Sequence, residues 1–265
     1  MSGRYDGKVA LVTGSTKGIG EGIARRLASE GARVTICGRN EVAGARLVVE
    51  LGGPERALFV AADLGREADC RAVVDLTVEQ WGRLDVLVNN AASVKRGNLE
   101  NTTADEFDAM MALNLRAPFL LMQQALPTFK RQFEREQAGG VVVNICSVNA
   151  TIGAPQLMAY SASKGGLLTL SRNLANALGE WRIRVHALNV GWTLSDGERE
   201  VQLAEGAPPD WEERAGATRP WGRLMIPEDI AAVVAFLASD EARVFSGEAM
   251  DLEQYPLGRP NEIAK

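Results

Sequence analysis

Tyr160 and Lys164 stand four residues apart at the end of a stretch that begins with Ser147. On a helix that spacing puts both side chains on one face, close enough to interact. An ammonium beside a phenol favours the phenolate and lowers its pKa from about 10. A phenol that exchanges a proton near neutral pH is a general acid/base. Ser147 follows the apolar run Val141-Val-Val-Asn-Ile-Cys146, so it is expected at the end of a strand. A loop with Gly153 and Pro155 then leads to the helix. A hydroxyl, a phenol and an ammonium thus converge at one strand end. Taken alone, the pair is better explained by a buried tyrosine and a surface lysine sharing a helix face. The case for chemistry rests on what surrounds it.

Gly14, Gly18 and Gly20 lie between the first expected strand, Lys8 to Thr13, and the first expected helix, Glu21 to Glu30. Glycines there permit a tight turn and let the backbone approach a pyrophosphate at the helix N-terminus. The spacing is Gly-x-x-x-Gly-x-Gly. Its position at the first strand-to-helix junction favours nucleotide binding over a plain glycine-rich turn. The end of the second strand should meet the adenosine ribose, where an NAD enzyme carries an Asp or Glu. This chain has Cys37-Gly38-Arg39-Asn40 instead, with Lys17 adding a second positive charge from the glycine loop. A 2′-phosphate carries roughly two negative charges and suits an arginine fork. The expected cofactor is NADP(H) rather than NAD(H).

Strands are expected at Arg33–Cys37, Arg56–Ala61, Leu84–Val88, Val141–Cys146, Ile183–Val190 and Glu248–Leu252. Helices are expected at Glu41–Leu51, Glu67–Trp81, after Thr103-Ala-Asp-Glu106, around Tyr160 and after Pro227. Thr103 and Glu106 have capping-box spacing. That helix continues past Asn114, with a kink or break expected at Pro118. Alternating strands and helices, with near-continuous apolar strands, predict an α/β fold. It is a Rossmann-type, doubly wound parallel β-sheet with helices on both faces, in one domain over 1–265. Residues 191–221 interrupt the alternation and are expected to form a lid or a small helical insertion. The stripe Leu167, Leu170, Leu174, Leu178 needs a partner, either the sheet or another subunit. Gly165-Gly166 within that helix suggests close backbone approach.

Composition narrows the partners. The 265 residues carry a net charge of −5 and a pI near 5.2, which argues against nucleic acid or a membrane surface. No run approaches the roughly 20 apolar residues of a membrane span, and the opening residues hold no apolar signal core. Cys37, Cys70 and Cys146 follow no metal or disulfide spacing, so reduced thiols in a cytoplasmic protein are expected, with no metal site. The one histidine, His186, sits in an apolar run and reads as a packed strand position.

Together these motifs resemble the short-chain dehydrogenase/reductase family over nearly the whole chain. Thr13-Gly14-Ser-Thr16-Lys17-Gly18-Ile19-Gly20 matches the family's Thr-Gly-x-x-x-Gly-x-Gly, and Asn89-Asn90-Ala91-Ala92 resembles Asn-Asn-Ala-Gly. Asn114, Ser147, Tyr160 and Lys164 match the catalytic tetrad in order and spacing. The resemblance implies that Ser147 holds the substrate oxygen and Tyr160 exchanges its proton. It implies that Lys164 lowers the tyrosine pKa and holds the nicotinamide ribose, while Asn114 anchors a water of the relay. It further implies cofactor contacts from the glycine loop, from Asp63 and Leu64 at the adenine, and from Asn90, Ala91, Val190 and Thr193. Three departures stand out: Ala92 for glycine, Val190-Gly191 for Pro-Gly, and Asp251-Leu252-Glu253 for Asp-Gly-Gly. The last suggests another course for the tail to Lys265.

Three tryptophans, Trp192, Trp211 and Trp221, and seven acids fall in 191–221. They read best as packing and a solvated face, but aromatic faces beside polar groups, with Asn149 and Gln156 nearby, also suit a sugar or polyol. The expected activity is reduction of a carbonyl or oxidation of a secondary alcohol on a small molecule. The alternatives are an NAD-dependent sugar or polyol dehydrogenase and a non-catalytic NADP-binding sensor. By resemblance the chain forms a homotetramer.

Overall fold

A computed structural model describes residues 3–256. Seven strands form one parallel sheet in the order β3-β2-β1-β4-β5-β6-β7. They are β1 (Val9–Thr13), β2 (Arg33–Gly38), β3 (Ala57–Ala61), β4 (Val86–Asn89), β5 (Val141–Ser147), β6 (Arg184–Val190) and β7 (Ala249–Leu252). The chain order reverses between β1 and β4, and the crevice above such a switch point is where α/β sheets bind ligands. Every residue of β1, β5 and β6 is buried, because helices cover both faces and neither can carry exposed polar groups.

One face is covered by α1 (Gly18–Ser29), α2 (Glu41–Glu50) and α9 (Pro227–Ala238), with Ile23, Leu27, Leu47, Ile230 and Val234 in the core. The other face takes α3 (Glu67–Trp81), α5 (Ala117–Glu136) and α6 (Met158–Leu178), packing Val73, Leu121, Phe129 and Leu178. Leu167 and Leu178 of the stripe are buried, while Leu170 and Leu174 are only partly so. Gly166 is where α6 meets the helix before it: a Cβ there would lie 2.9 Å from the Leu115 side chain.

The capping box forms as expected at the start of α4 (Ala104–Met111): Glu106 N–H donates to Thr103 Oγ1 at 3.3 Å, and Thr103 N–H to Glu106 Oε2 at 2.9 Å. At Pro118, where a kink or break is expected, the α pattern is interrupted just before the proline. Residues Ala112–Arg116 widen into a π turn in which Ala117 N–H bonds the carbonyl of Ala112, five residues back. Pro118 then falls in the first turn of α5. The extra residue accommodates the proline ring, and proline supplies no N–H to the Asn114 carbonyl four residues before it. Residues 191–221 contain α7 (Asp196–Ala204) and α8 (Trp211–Ala217). The tail course expected beyond residue 256 lies outside the described residues.

Candidate active site

The glycine loop is set by steric demand. Gly14 and Gly18 have φ of +61° and +59°, which favour glycine. A Cβ on Gly20 would stand 2.4 Å from the Gly14 carbonyl oxygen and 2.5 Å from Asn90 Nδ2. Asn90 Nδ2 donates to the carbonyls of Thr13 (2.9 Å) and Gly14 (3.1 Å), and Thr13 Oγ1 accepts the Asn90 and Ala91 amides at 2.9 and 3.0 Å. These bonds pin the loop to the end of β4. Lys17 caps α1 with no side-chain bond, so the first amides of α1 remain without a capping partner. Gly18, Ile19 and Gly20 line a cavity at the C-terminal ends of the strands, and a helix N-terminus there suits a pyrophosphate. The residues present therefore fit a dinucleotide.

That cavity measures about 630 Å³, and Ser147, Tyr160 and Lys164 all line it. Ser147 is the last residue of β5; Tyr160 and Lys164 share a face of α6. The lysine behaves differently from the sequence expectation. Lys164 is buried, and its ammonium donates to the Ile145 carbonyl at 2.7 Å, with Nζ 5.8 Å from the centre of the Tyr160 ring. Burial lowers its pKa to about 8, opposed by Cys146. Burial pushes the Tyr160 phenol up from its usual value, and a hydrogen bond with the Ser147 side chain opposes that rise. Desolvation thus outweighs any lowering by the lysine, and Ser147 is the group that favours the phenolate.

Asn114 is fully buried in the π turn, and its side chain is already committed. Oδ1 accepts the Ser93 amide at 2.8 Å. Nδ2 donates to the Ser93 carbonyl at 2.9 Å and to Ser163 Oγ at 3.0 Å. It ties the loop after β4 to α6.

Val190 and Thr193 line the cavity as well, at the end of β6. Gly14, Thr16 and Ala91 are not among its lining residues. Thr16 packs against the end of β2, where a Cβ on Gly38 would come within 2.9 Å of it. Arg39, Asp63 and Leu64 follow β2 and β3, away from the cavity. Arg39 is exposed and has no ion-pair partner among the described residues, while Asp63 Oδ1 accepts the Gly65 amide at 3.1 Å. Lys17 does have a partner: Nζ meets Glu200 of α7 at 2.8 and 3.0 Å.

The cavity wall formed by residues 191–221 also takes in Arg96, which the sequence did not single out. Arg96 binds Glu205 at 2.9 Å and approaches Glu198 at 3.9 Å. Glu198 accepts from Trp192 Nε1 and Gln202 Nε2, each at 2.8 Å. Trp192 lines the cavity and stacks on Trp211, with centroids 6.3 Å apart, whereas Trp221 is 74% exposed. Asn149 lines the cavity; Gln156 does not, and its carbonyl accepts the Gly97 amide instead. Arg219 and Glu253 also line it. The only sequence signal for Glu253 was the acid standing in place of a glycine. His186 is buried in β6, and burial together with neighbouring Arg184 lowers its pKa to about 4.

Comparison with known proteins adds a second line of argument. A family model described as enoyl-(acyl carrier protein) reductase matches residues 14–253. An L-fucose dehydrogenase of Oryctolagus cuniculus is 38% identical over 242 residues, 89% of this chain and 81% of that protein. A 3-beta-hydroxysteroid dehydrogenase of Comamonas testosteroni is 34% identical, covering 97% of this chain and 99% of that protein. The crystal structure of a 3-ketoacyl-(acyl-carrier-protein) reductase from Brucella melitensis complexed with NADH superposes with a TM-score of 0.82 at 34% identity. It covers 94% of this chain and 97% of that one. Likeness on this scale, running from the first glycine of the loop to the acid at the cavity's far wall, leads to one assignment: the chain belongs to the short-chain dehydrogenase/reductase family of oxidoreductases.

Proposed function

We propose that the protein is an NADP(H)-dependent oxidoreductase acting on a carbonyl or secondary alcohol, with Tyr160 as the acid/base. The observation that carries this reading is that Ser147, Tyr160 and Lys164 open onto the same cavity as the first turn of α1. When bound, the nicotinamide supplies or accepts the hydride. The amides of Gly18, Ile19 and Gly20 hold the pyrophosphate, Thr193 faces the carboxamide, and Asp63 and Leu64 flank the adenine. Ser147 hydrogen-bonds the substrate oxygen, and Tyr160 gives or takes its proton at the phenol oxygen. Lys164 places a positive charge beneath the phenol and reaches the nicotinamide ribose. The side chain of Asn114 is saturated, so its part in a proton relay falls to its backbone carbonyl, which Pro118 leaves without an N–H from four residues on.

The test follows NADPH oxidation and NADP reduction across ketones, sugars and polyols, beside Tyr160→Phe. Loss of an acid/base group should cut kcat by about 10²–10⁴-fold, with the Kd for NADPH held within about twofold. Near-normal turnover in that variant refutes the assignment. Tight NADPH binding without turnover of any substrate would favour the sensor reading.

A second reading, NAD(H) as cofactor, draws support from the NADH complex of the Brucella protein and from the Lys17–Glu200 pair, which occupies one of the two cations assigned to the 2′-phosphate. Arg39→Asp separates the two: it should weaken NADPH binding much more than NADH binding, and equal loss for both would sink the NADP preference. For substrate, the L-fucose dehydrogenase relative supports a polar hydroxylated ketone or sugar, and turnover confined to steroid-like ketones would overturn it. The homotetramer is part of the same proposal, supported by the apolar hollow that Leu115, Phe119, Gly166 and Leu170 form on the outer side of α6. A monomeric mass in solution would overturn it. No described helix is long and apolar enough to cross a membrane.

A further inference from the structure

Four cationic side chains line the candidate active-site cavity: Lys17, Arg96, Lys164 and Arg219. Three are engaged. Lys17 is held by Glu200, Arg96 by Glu205, and Lys164 by the Ile145 carbonyl. Arg219 is different. It forms a long ion pair with Glu253 at 3.9 Å, beyond hydrogen-bond reach, and that carboxylate already accepts the amides of Trp192 (3.3 Å) and Gln254 (2.7 Å). Among the described residues no protein acceptor takes a hydrogen bond from the guanidinium, and its Nε–H is buried with no partner. Leaving such a group unpaired costs free energy, and an unpaired buried donor in a native protein calls for an explanation.

The guanidinium is nonetheless held in place. It lies 5.5 Å from the centre of the Trp192 ring, and that ring is fixed in turn by Glu198 and Trp211. A planar fork that is mostly buried, oriented on an aromatic face and short of hydrogen-bond acceptors matches a carboxylate. We propose that Arg219 anchors a carboxylate on the substrate, so that the substrate is an oxo acid or the matching hydroxy acid, a carboxylate-bearing member of the polar class proposed above. The proposal rests on the oxidoreductase reading for the reacting end, because Ser147 and Tyr160 line the same cavity as Arg219. A cofactor phosphate offers similar anionic oxygens. The amides of Gly18, Ile19 and Gly20 line the same cavity and suit the pyrophosphate, which leaves Arg219 to the substrate.

The experiment uses the full-length protein saturated with NADPH, in which an alcohol binds without reacting. Mandelate and its uncharged methyl ester are titrated by calorimetry against wild type, Arg219→Leu and Arg219→Lys. Reduction of benzoylformate and its methyl ester is followed alongside. The expected result is at least tenfold tighter binding of mandelate than of its ester. That gap should fall below twofold in Arg219→Leu and return in part in Arg219→Lys, with NADPH affinity unchanged throughout. If Arg219→Leu instead weakens NADPH and leaves the acid-to-ester ratio intact, the anion is the cofactor's and the proposal is overturned. If neither mandelate nor its ester binds while NADPH does, the anchor is refuted and the oxidoreductase reading stands. If mandelate binds through Arg219 but benzoylformate is not reduced, the anchor is supported and it is the oxidoreductase reading that is put in question.

Discussion

At the scale of single residues, burial rather than charge pairing sets the chemistry of the cluster. Lys164 spends its ammonium on the Ile145 carbonyl, and Tyr160 is pushed up by its own desolvation. Asn114 makes the same point. Its side chain closes a set of bonds with Ser93 and Ser163, so removing it should act on stability first. Asn114→Ala is expected to cost about 2–4 kcal/mol by stranding buried partners, seen as a lower midpoint in a thermal melt. A fall in kcat with an unchanged melt would instead assign the side chain to the relay. Gly20→Ala is the matching change in the loop. Its new methyl would overlap the Gly14 carbonyl and Asn90, both held in place, so the loop must shift. At least a tenfold rise in the cofactor Kd is expected by fluorescence titration, and an unchanged Kd would show that the loop yields freely.

At the scale of elements, α7 is the helix held by polar contacts. α7 buries none of its residues, whereas the sheet-covering helices bury whole apolar faces. It is tethered by Lys17–Glu200 to the glycine loop and by Arg96–Glu205 to the segment after β4. Both tethers are substantially exposed, and exposed pairs contribute little net stability and weaken with salt. These two pairs therefore add little to the hold on α7. Glu200→Gln removes the competitor for Lys17. In the proposed NADP(H) reading it should tighten NADPH binding by no more than about fivefold and leave NADH unchanged. Equal gains for both cofactors would mean that Lys17 does not discriminate between them.

At the scale of the whole molecule, the end of the sheet opposite the cavity carries a pH dependence of its own. Arg184 reaches from β6 to the end of α9, donating to the carbonyls of Leu237 at 2.6 Å and Ser239 at 2.9 Å, and it lies 3.2 Å from His186 Nε2. Burial and that cation hold the His186 pKa down to about 4, below the 6.5 of an unperturbed imidazole. Between those values the unfolded chain binds the proton that the folded chain refuses, so this contribution is full above about pH 6.5 and is lost as pH falls toward 4. The loss amounts to about 2–3 kcal/mol. In His186→Gln, which stays neutral, thermal stability measured from pH 7 to 4 should fall less than in wild type; parallel curves would show that His186 does not contribute. Much of this molecule was legible in its sequence. The apolar strand runs, the helix-opening Thr103 and Pro227, the glycine loop and the order of Asn114, Ser147, Tyr160 and Lys164 all rest on local rules of spacing and backbone sterics, which act within a few residues. What only the tertiary structure decided depends on burial and on partners far apart in the chain. The carbonyl that takes the Lys164 ammonium, the Glu200 that meets Lys17 from 183 residues away, and the wall of Arg96, Trp192, Arg219 and Glu253 belong to this class. No local spacing encodes them, because each exists only once the sheet has brought its strand ends together.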